Sequence, residues 1–334
     1  MSSKLAPGSK VRVHVQESVG SNEVFRITEA KLLDALQNHP DLRTAVEFSF
    51  GSTPDEFDAK LATSEALLAG TFNPHNLRER APNLRWVQSI FAGMDKLAPE
   101  IPDGIVLTNA SGVHAPKAAE YTIGALIMLN SGFLRFLENQ RTAKWEQIFA
   151  PSLSGRTLLL LGTGALGSAI ANRAKQFGMR VLGVARQAVD RPDIDVCFAA
   201  NDLHRALPQA DFVVITLPNT TETRGLIGRK ELDFLPKHAG IVSIGRAQVL
   251  DHAALIDKLN KKELAGAFLD VFEQEPLPQD SPLWHSPRIV ISPHCAVDDP
   301  HNHVRRCLDL FFDNLRRFID GRELRNVVDL KLGY

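Results

Sequence analysis

Three polar residues stand just past apolar runs in the C-terminal half of the chain. Arg246 follows Gly240-Ile-Val-Ser-Ile244, Glu275 follows Gly266-Ala-Phe-Leu-Asp270, and His294 follows Ile289-Val-Ile-Ser292. Together these types suit the reduction of a carbonyl. A hydride delivered to carbon must be matched by a proton delivered to oxygen, and an imidazole, with a reference pKa of about 6.5, can hold that proton near neutrality. A carboxylate beside the ring favours the imidazolium form, raises its pKa and fixes the ring; Glu275 is the candidate. A guanidinium is a planar fork that grips a carboxylate and polarises a neighbouring carbonyl, the part given to Arg246. Each residue alone has a blander reading, since arginines and glutamates are usually solvated and the chain has eleven histidines, His114 and His301 among them near expected domain junctions. The assignment rests on joint placement, not on residue type.

Upstream, Gly162-Thr-Gly164-Ala-Leu-Gly167 follows the apolar run Leu158 to Leu161 and opens a helical pattern. A GxGxxG alone is a weak signal; a strand before it and a helix after it supply the context a dinucleotide site needs. Gly162 permits the tight turn, Gly164 lets the backbone approach a pyrophosphate, and Gly167 allows close helix–strand packing. The helix N-terminus adds N–H groups and a positive dipole end. A glycine-rich turn without a ligand is the bland alternative. The acid expected about 20 residues on, for the adenosine ribose hydroxyls, is missing. The second strand ends Gly183-Val-Ala-Arg186, so Ala185 stands in its place, and Asp190 lies several residues further. With no carboxylate to repel it, a 2′-phosphate can pair with Arg186. The pattern predicts NADP(H) as the preferred cofactor, with NAD(H) still usable; a solvated strand-end charge is the other reading of Arg186.

These groups need a frame that gathers them at one edge. Strand-like runs alternate with helical patterns throughout. The first set is Val11 to Val15, Ala45 to Ser49, Ala66 to Ala69, Trp86 to Ile90 and Ile105 to Thr108, with helical stretches at Glu29 to Gln37 and His75 to Ala81. A long helical pattern covers Ala115 to Lys144. A purer alternation follows, with strands at Thr157 to Leu161, Arg180 to Val184, Phe212 to Thr216, Gly240 to Ile244, Gly266 to Asp270 and Ile289 to Ser292. These runs are nearly all apolar, as strands buried on both faces must be. Helices fit between them at Leu166 to Phe177, Asp202 to Leu207, Arg229 to Leu235 and Asp251 to Asn260, and a last one spans Pro300 to Phe318. Such alternation implies α/β architecture with parallel sheets covered on both faces. Two doubly wound domains are expected: residues 111–299 as a Rossmann-type dinucleotide domain, inserted in a flavodoxin-like substrate domain made of 1–110 and 300–334.

The composition narrows the class. The 334 residues are 44% apolar and 23% charged, with 38 basic against 39 acidic side chains and a net charge of -1. That argues against disorder and against wholesale binding to nucleic acid or an anionic membrane. No stretch reaches the roughly 20 apolar residues of a membrane span, and Met1 to Val15 holds no leader-type apolar run. Cys197, Cys295 and Cys307 are few and scattered. They read as neither a disulfide framework nor a metal site, and a reducing, cytoplasmic setting is expected.

With these residues in place the chain resembles the D-isomer-specific 2-hydroxyacid dehydrogenase family over nearly its whole length. The resemblance is carried by Gly93-Met-Asp95, Ala119-Glu120, Leu161 to Gly167, Leu217-Pro218 with Glu222-Thr223, Leu269-Asp-Val-Phe272, Glu275-Pro276, Pro293-His294 and the closing Asn326-Val-Val-Asp329 with Gly333-Tyr334. It implies an Arg-Glu-His catalytic set on Arg246, Glu275 and His294. It also implies backbone contacts to pyrophosphate from Ala165 and Leu166, Asp270 near the nicotinamide carboxamide, and Leu217, Pro218, Thr223 and Ile244 lining the cofactor. Backbone amides of Ala92, Gly93 and Met94 would receive the substrate carboxylate. A cleft closed by hinge motion and a homodimer joined through the helix near 115–145 are implied as well.

The family usually has Arg-Gly where this chain has Arg246-Ala247, and an aliphatic residue where it has Cys295. The extra methyl is expected to tighten the turn beside Arg246. Cys295 is expected to pack as a small apolar residue, an oxidation-sensitive thiol being the alternative. Phe91 and Met94, with Gly70-Thr-Phe-Asn73, offer no cation for a distal phosphate, which disfavours 3-phosphoglycerate. Trp145 is expected to pack, or, by resemblance to glyoxylate/hydroxypyruvate reductases, to reach a dimer-related site. The expected reaction is NADPH-linked reduction of a small 2-oxo acid such as glyoxylate, hydroxypyruvate or a phenylpyruvate-like acid. Glu275, where formate dehydrogenases of the superfamily carry Gln, disfavours formate oxidation. A phosphite-type dehydrogenase and a non-catalytic dinucleotide-sensing interaction protein are the alternatives.

Overall fold

A computed structural model describes residues 10–17 and 22–334; the first nine residues of the stretch tested for a leader lie outside it. The chain divides into two compact units, Met1–Val113 with Asp299–Tyr334, and His114–Asp298.

The first unit is built on five parallel strands, β1 (Val11–Gln16), β2 (Val46–Gly51), β3 (Ala66–Ala69), β4 (Trp86–Ser89) and β5 (Val106–Thr108), in the order β2-β1-β3-β4-β5. Side chains alternate between its faces. Val11, Val13, Val15, Leu68 and Trp86 face one core with helices α1 (Glu29–Leu36) and α2 (Pro40–Ala45); Leu67, Val87 and Leu107 face the other with α3 (Pro54–Leu61) and α4 (Leu77–Arg80). Helix α3 begins where Thr53 and Glu56 form a reciprocal capping box behind the N1 proline.

The second unit holds seven parallel strands, β6 (Thr157–Leu161), β7 (Arg180–Ala185), β8 (Val196–Ala199), β9 (Phe212–Ile215), β10 (Gly240–Ser243), β11 (Gly266–Leu269) and β12 (Ile289–Ile291), in the order β12-β11-β10-β9-β6-β7-β8. Leu159, Leu161, Val213, Ile215 and Ile241 supply the core under α8 (Leu203–Ala206), α9 (Arg229–Asp233) and α10 (His252–Asn260). Their neighbours Leu158, Leu160, Phe212, Val214 and Val242 supply the core under α5 (Ala115–Asn130) and α7 (Ala165–Gln176). Both faces are therefore dry, which explains why these strands are nearly all apolar. Asp251 caps α10 by accepting from the N–H of Ala254.

The long helix expected over 115–144 is two helices. It stops at Asn130 and restarts as α6 (Phe133–Arg141), because Gly132 takes φ 69°, a left-handed value that ends a helix and that glycine adopts without penalty.

Back in the first unit, the chain closes with α11 (His303–Ile319), which buries Cys307, Leu308, Phe311, Phe312, Leu315 and Phe318 on one face. Phe311 stacks on Trp86 with ring centroids 5.4 Å apart. Asn314, fully buried on the same face, donates to Gln88 Oε1 at 3.0 Å and accepts from the N–H of Arg325 at 2.7 Å. A buried amide is tolerated there because its groups are paired. No described helix is long and apolar enough to cross a membrane.

Candidate active site

In the seven-stranded sheet all strands run the same way, so every C-terminal end lies on one edge. Strand order reverses between β6 and β9, the kind of crossover where α/β sheets bind ligands. The Gly162–Gly167 loop leaves β6 at that point. Gly162 has φ 101°, and a Cβ on Gly167 would lie 2.1 Å from the Gly162 carbonyl oxygen. Nothing lies within 4 Å of where a Cβ on Gly164 would be, and no side chain caps the helix it precedes. The first amides of α7, Ala165 and Leu166 included, thus have no capping side chain, which is the state in which a helix start can accept an anion.

The neighbouring loops complete the edge. Leu217 and Pro218 follow β9, and the Thr223 hydroxyl donates to the Pro218 carbonyl at 2.6 Å, locking that loop. Ile244 is buried past β10. A Cβ on Gly245 would come within 2.6 Å of the Leu217 carbonyl, so this glycine lets the β9 and β10 loops touch; the Gly just before Arg246 was its only sequence signal. Arg186 sits one residue past β7.

Strands β10, β11 and β12 are neighbours, and their ends carry Arg246, Asp270 with Glu275, and His294. Glu275 Oε2 and His294 Nδ1 are 2.7 Å apart, and Glu275 Oε1 accepts from the N–H of Phe272 at 2.9 Å. Both carboxylate oxygens are thereby engaged in aiming the ring, which leaves Nε2 as the imidazole atom able to exchange a proton. Arg246 Nη1 donates to its neighbour's carbonyl, Gly245 O, at 3.0 Å. Ala247 is buried in a 3-10 turn without a left-handed φ, so the position accepts its methyl.

Asp270 is buried, and Oδ1 accepts from Ser292 Oγ at 2.7 Å and from the N–H groups of Cys295 and Ala296 at 3.1 and 3.0 Å. Oδ2 is buried without a partner. Burial pushes the Asp270 pKa up, against the pull of those donors. A buried acceptor with no donor costs free energy unless something binds it, and a primary amide would fit. Tyr121 OH lies 2.9 Å from Ser292 Oγ. No sequence pattern singles out Tyr121, and Ser292 reads only as the end of the run before His294.

Two expectations fail here. Cys295 is exposed rather than packed, because its backbone is turned by the bonds to Asp270 while its side chain faces outward. Desolvation, then the charges of Asp270 and Asp298, hold its thiol above the ordinary value, which disfavours a reactive thiolate. Trp145 does not pack: it is 94% exposed, beyond the end of α6.

In the other unit, Ala92, Gly93 and Met94 follow β4. Their N–H groups make no hydrogen bond among the described residues, and the Met94 side chain is buried in the core. A separate cavity of about 420 Å³ is lined by Gln16, Ser52, Thr71, Phe72, Asn73 and Arg80 among others. Arg80 is engaged there: it pairs with Asp58 and donates to the carbonyls of Asn73 and His75 at 2.9 and 2.8 Å.

A glycine-cradled helix start at the sheet crossover, with an imidazole–carboxylate couple on the same edge, defines a nicotinamide-dependent oxidoreductase. The chain belongs to the D-isomer specific 2-hydroxyacid dehydrogenase family, whose NAD binding domain matches residues 123–296. A glyoxylate reductase of Korarchaeum cryptofilum is 33% identical, covering 75% of this chain and 78% of the relative. Glyoxylate/hydroxypyruvate reductase B of Pectobacterium carotovorum is 32% identical, over 86% and 94%. Among solved structures, a D-isomer specific 2-hydroxyacid dehydrogenase from Xanthobacter autotrophicus Py2, in complex with NADPH and MES, has a TM-score of 0.82 at 28% identity, covering 96% of this chain and 99% of that one.

Proposed function

We propose that this protein reduces a small 2-oxo acid, of the glyoxylate or hydroxypyruvate kind, to the D-2-hydroxy acid with NADPH. The observation that carries the reading is the 2.7 Å pair of Glu275 and His294 on the sheet edge that holds the dinucleotide loop. Residues 114–298 form the dinucleotide unit, and the other unit carries the substrate loop. When bound, the reduced nicotinamide supplies the hydride. His294, held by Glu275, gives the proton from Nε2 to the carbonyl oxygen and recovers one from solvent. The forked cation of Arg246 binds the substrate carboxylate and polarises the carbonyl, and in the other unit the amides of Ala92, Gly93 and Met94 are the candidate carboxylate contacts. Asp270 Oδ2 accepts from the carboxamide, and Leu217, Pro218, Thr223 and Ile244 line the ring. The engaged state of Arg80 supports a substrate without a distal phosphate.

Consumption of NADPH and NADH is measured in parallel with a panel of 2-oxo acids. Faster use of NADPH with glyoxylate or hydroxypyruvate is expected. Reduction of cofactor by phosphite instead, or dinucleotide-dependent capture of a partner protein without turnover, would overturn the assignment. Arg246→Ala should raise KM and lower kcat together, costing roughly 30-fold or more in kcat/KM for the loss of a charge-assisted fork. Near-normal kinetics would remove Arg246 from the site.

The cofactor preference rests on Arg186, one residue past β7, with no carboxylate at Ala185. NADPH-bound relatives such as the Xanthobacter protein support it. Arg186→Ala is expected to raise KM for NADPH roughly tenfold and leave that for NADH unchanged. Equal effects on both cofactors would refute the 2′-phosphate contact.

We further infer a homodimer. Ile127, Phe133, Leu137, Trp145 and Phe149 are exposed on or just beyond α5 and α6, and a second copy would cover them. A solution mass of twice the chain mass is expected; a single-chain mass at micromolar concentration would exclude it. The three free cysteines support a reducing, cytoplasmic location, which cell fractionation would check.

A further inference from the structure

Four elements meet around one carboxylate. Tyr121 stands on α5, with its ring edge-on to Phe268 of β11 at 6.4 Å. Its hydroxyl reaches Ser292 just past β12, and Ser292 reaches Asp270 just past β11. Asp270 in turn holds the N–H groups of Cys295 and Ala296, which directly follow His294. That turn is unusual in two ways: His294 has φ 50°, and its N–H donates back to the Ser292 carbonyl at 3.0 Å. A non-glycine residue in the left-handed region stays there only where its surroundings over-determine it.

We propose that Tyr121 and Ser292 are positioning residues, whose linked hydroxyls commit one oxygen of Asp270 to the His294 turn and leave its other oxygen as the acceptor for the cofactor's amide. The proposal rests on the reading of His294 as the proton donor and Asp270 as a cofactor contact. Its direction follows from chemistry. An ionised carboxylate only accepts, so Ser292 donates to Asp270 and accepts from Tyr121. All three donors fall on Oδ1, and Oδ2 receives none. If the serine were absent, Oδ1 would lose its shortest bond, the carboxylate could rotate, and the tyrosine hydroxyl would be left without its acceptor.

The ionisation of Asp270 should also depend on this chain. Burial pushes its pKa up; the hydroxyl of Ser292 and the two amides pull it down, and the groups facing it with charge or titratable protons are His294, Tyr121 and Cys295. Removing the Ser292 donor removes support for the charged form, so Asp270 would protonate at higher pH.

The test measures the Kd for NADPH by nucleotide fluorescence between about pH 5 and 9, alongside kcat and KM, for the full-length protein. Ser292→Ala is expected to weaken NADPH binding about tenfold at the acidic end and little at the alkaline end, and to lower kcat about tenfold, from one lost charge-assisted bond. Its acid limb should move upward, because the charged form of Asp270 has lost a donor. Ser292→Thr, which keeps the hydroxyl, should restore both. Tyr121→Phe should shift the limb the same way by less, and the double variant should be no worse than Ser292→Ala, because the hydroxyls act in series. An unmoved acid limb in Ser292→Ala, or a Tyr121→Phe effect that adds in full, would overturn the proposal. Should Ser292→Ala fail to fold, the limb of Tyr121→Phe decides. Absence of turnover on every oxo acid would count against the proposed reaction, while the binding arm would still decide the roles of Ser292 and Tyr121.

Discussion

His294→Asn is expected to cut kcat by about a thousandfold while leaving NADPH affinity within a factor of two or so. Asparagine can keep a hydrogen bond to Glu275 and can adopt the left-handed backbone found at residue 294. What it cannot do is release a proton near neutral pH. The loss should therefore fall on the chemical step and not on the fold or the cofactor site. Stopped-flow single turnovers together with fluorescence titration of NADPH separate the two. A variant that turns over within tenfold of the parent would show that the proton comes from elsewhere.

The second large effect is expected from Gly167→Ala. A methyl there would sit 2.1 Å from the Gly162 carbonyl oxygen and 3.0 Å from its carbon. Backbone cannot yield as a flexible side chain does, so either the β6–α7 turn opens or α7 shifts along the sheet. Both displace the amides of Ala165 and Leu166 from the place where phosphate would sit. NADPH affinity should fall by at least a hundredfold, on the order of 3 kcal/mol by the tenfold-per-1.4 relation. The melting temperature should fall as well, since overpacking at a tight contact costs about 1–3 kcal/mol. Calorimetric titration and thermal unfolding of the same variant check both. Unchanged binding would mean that the glycines serve the turn alone.

The sheets were legible from sequence where burial on both faces had removed polar residues, as in Thr157-Leu-Leu-Leu-Leu161, and where alternation was regular, as in Val11 to Val15. Strand β8 was missed because it is an edge strand, only partly buried, and its four residues follow a polar segment. Helices α2 and α3 were missed for another reason: each is a short helix that opens on a proline, Pro40 and Pro54, and proline at the first helical position starts a helix without any apolar period to mark it. The break before Gly132 has a sequence signal, since Asn130-Ser131-Gly132 is a polar turn-type stretch, but the apolar residues on either side of it read as one helix. At the site, the closeness of Glu275 and His294 follows from two motifs at the ends of adjacent strands. Tyr121 and Ser292 are 171 residues apart, and no local pattern announces that their hydroxyls touch.

The division of the chain has a bearing on how the protein is made. Unit one is assembled from two separate segments, and α11, which covers the Trp86 face of its sheet, is synthesised only after the whole of the second unit. Between β5 and α11 the ribosome must produce the whole of residues 114–298. At 5–20 residues per second that takes roughly 10–40 s. During that interval Val11, Val13, Val15 and Trp86 lack Phe311, Phe312 and Leu315 of the helix that will bury them. The continuous second unit has no such wait and can complete its fold while still tethered. Chains at that stage therefore carry an open apolar sheet while the second unit is already complete, and a holdase that shields β1–β4 should raise the yield of native protein more than one that acts on the dinucleotide unit.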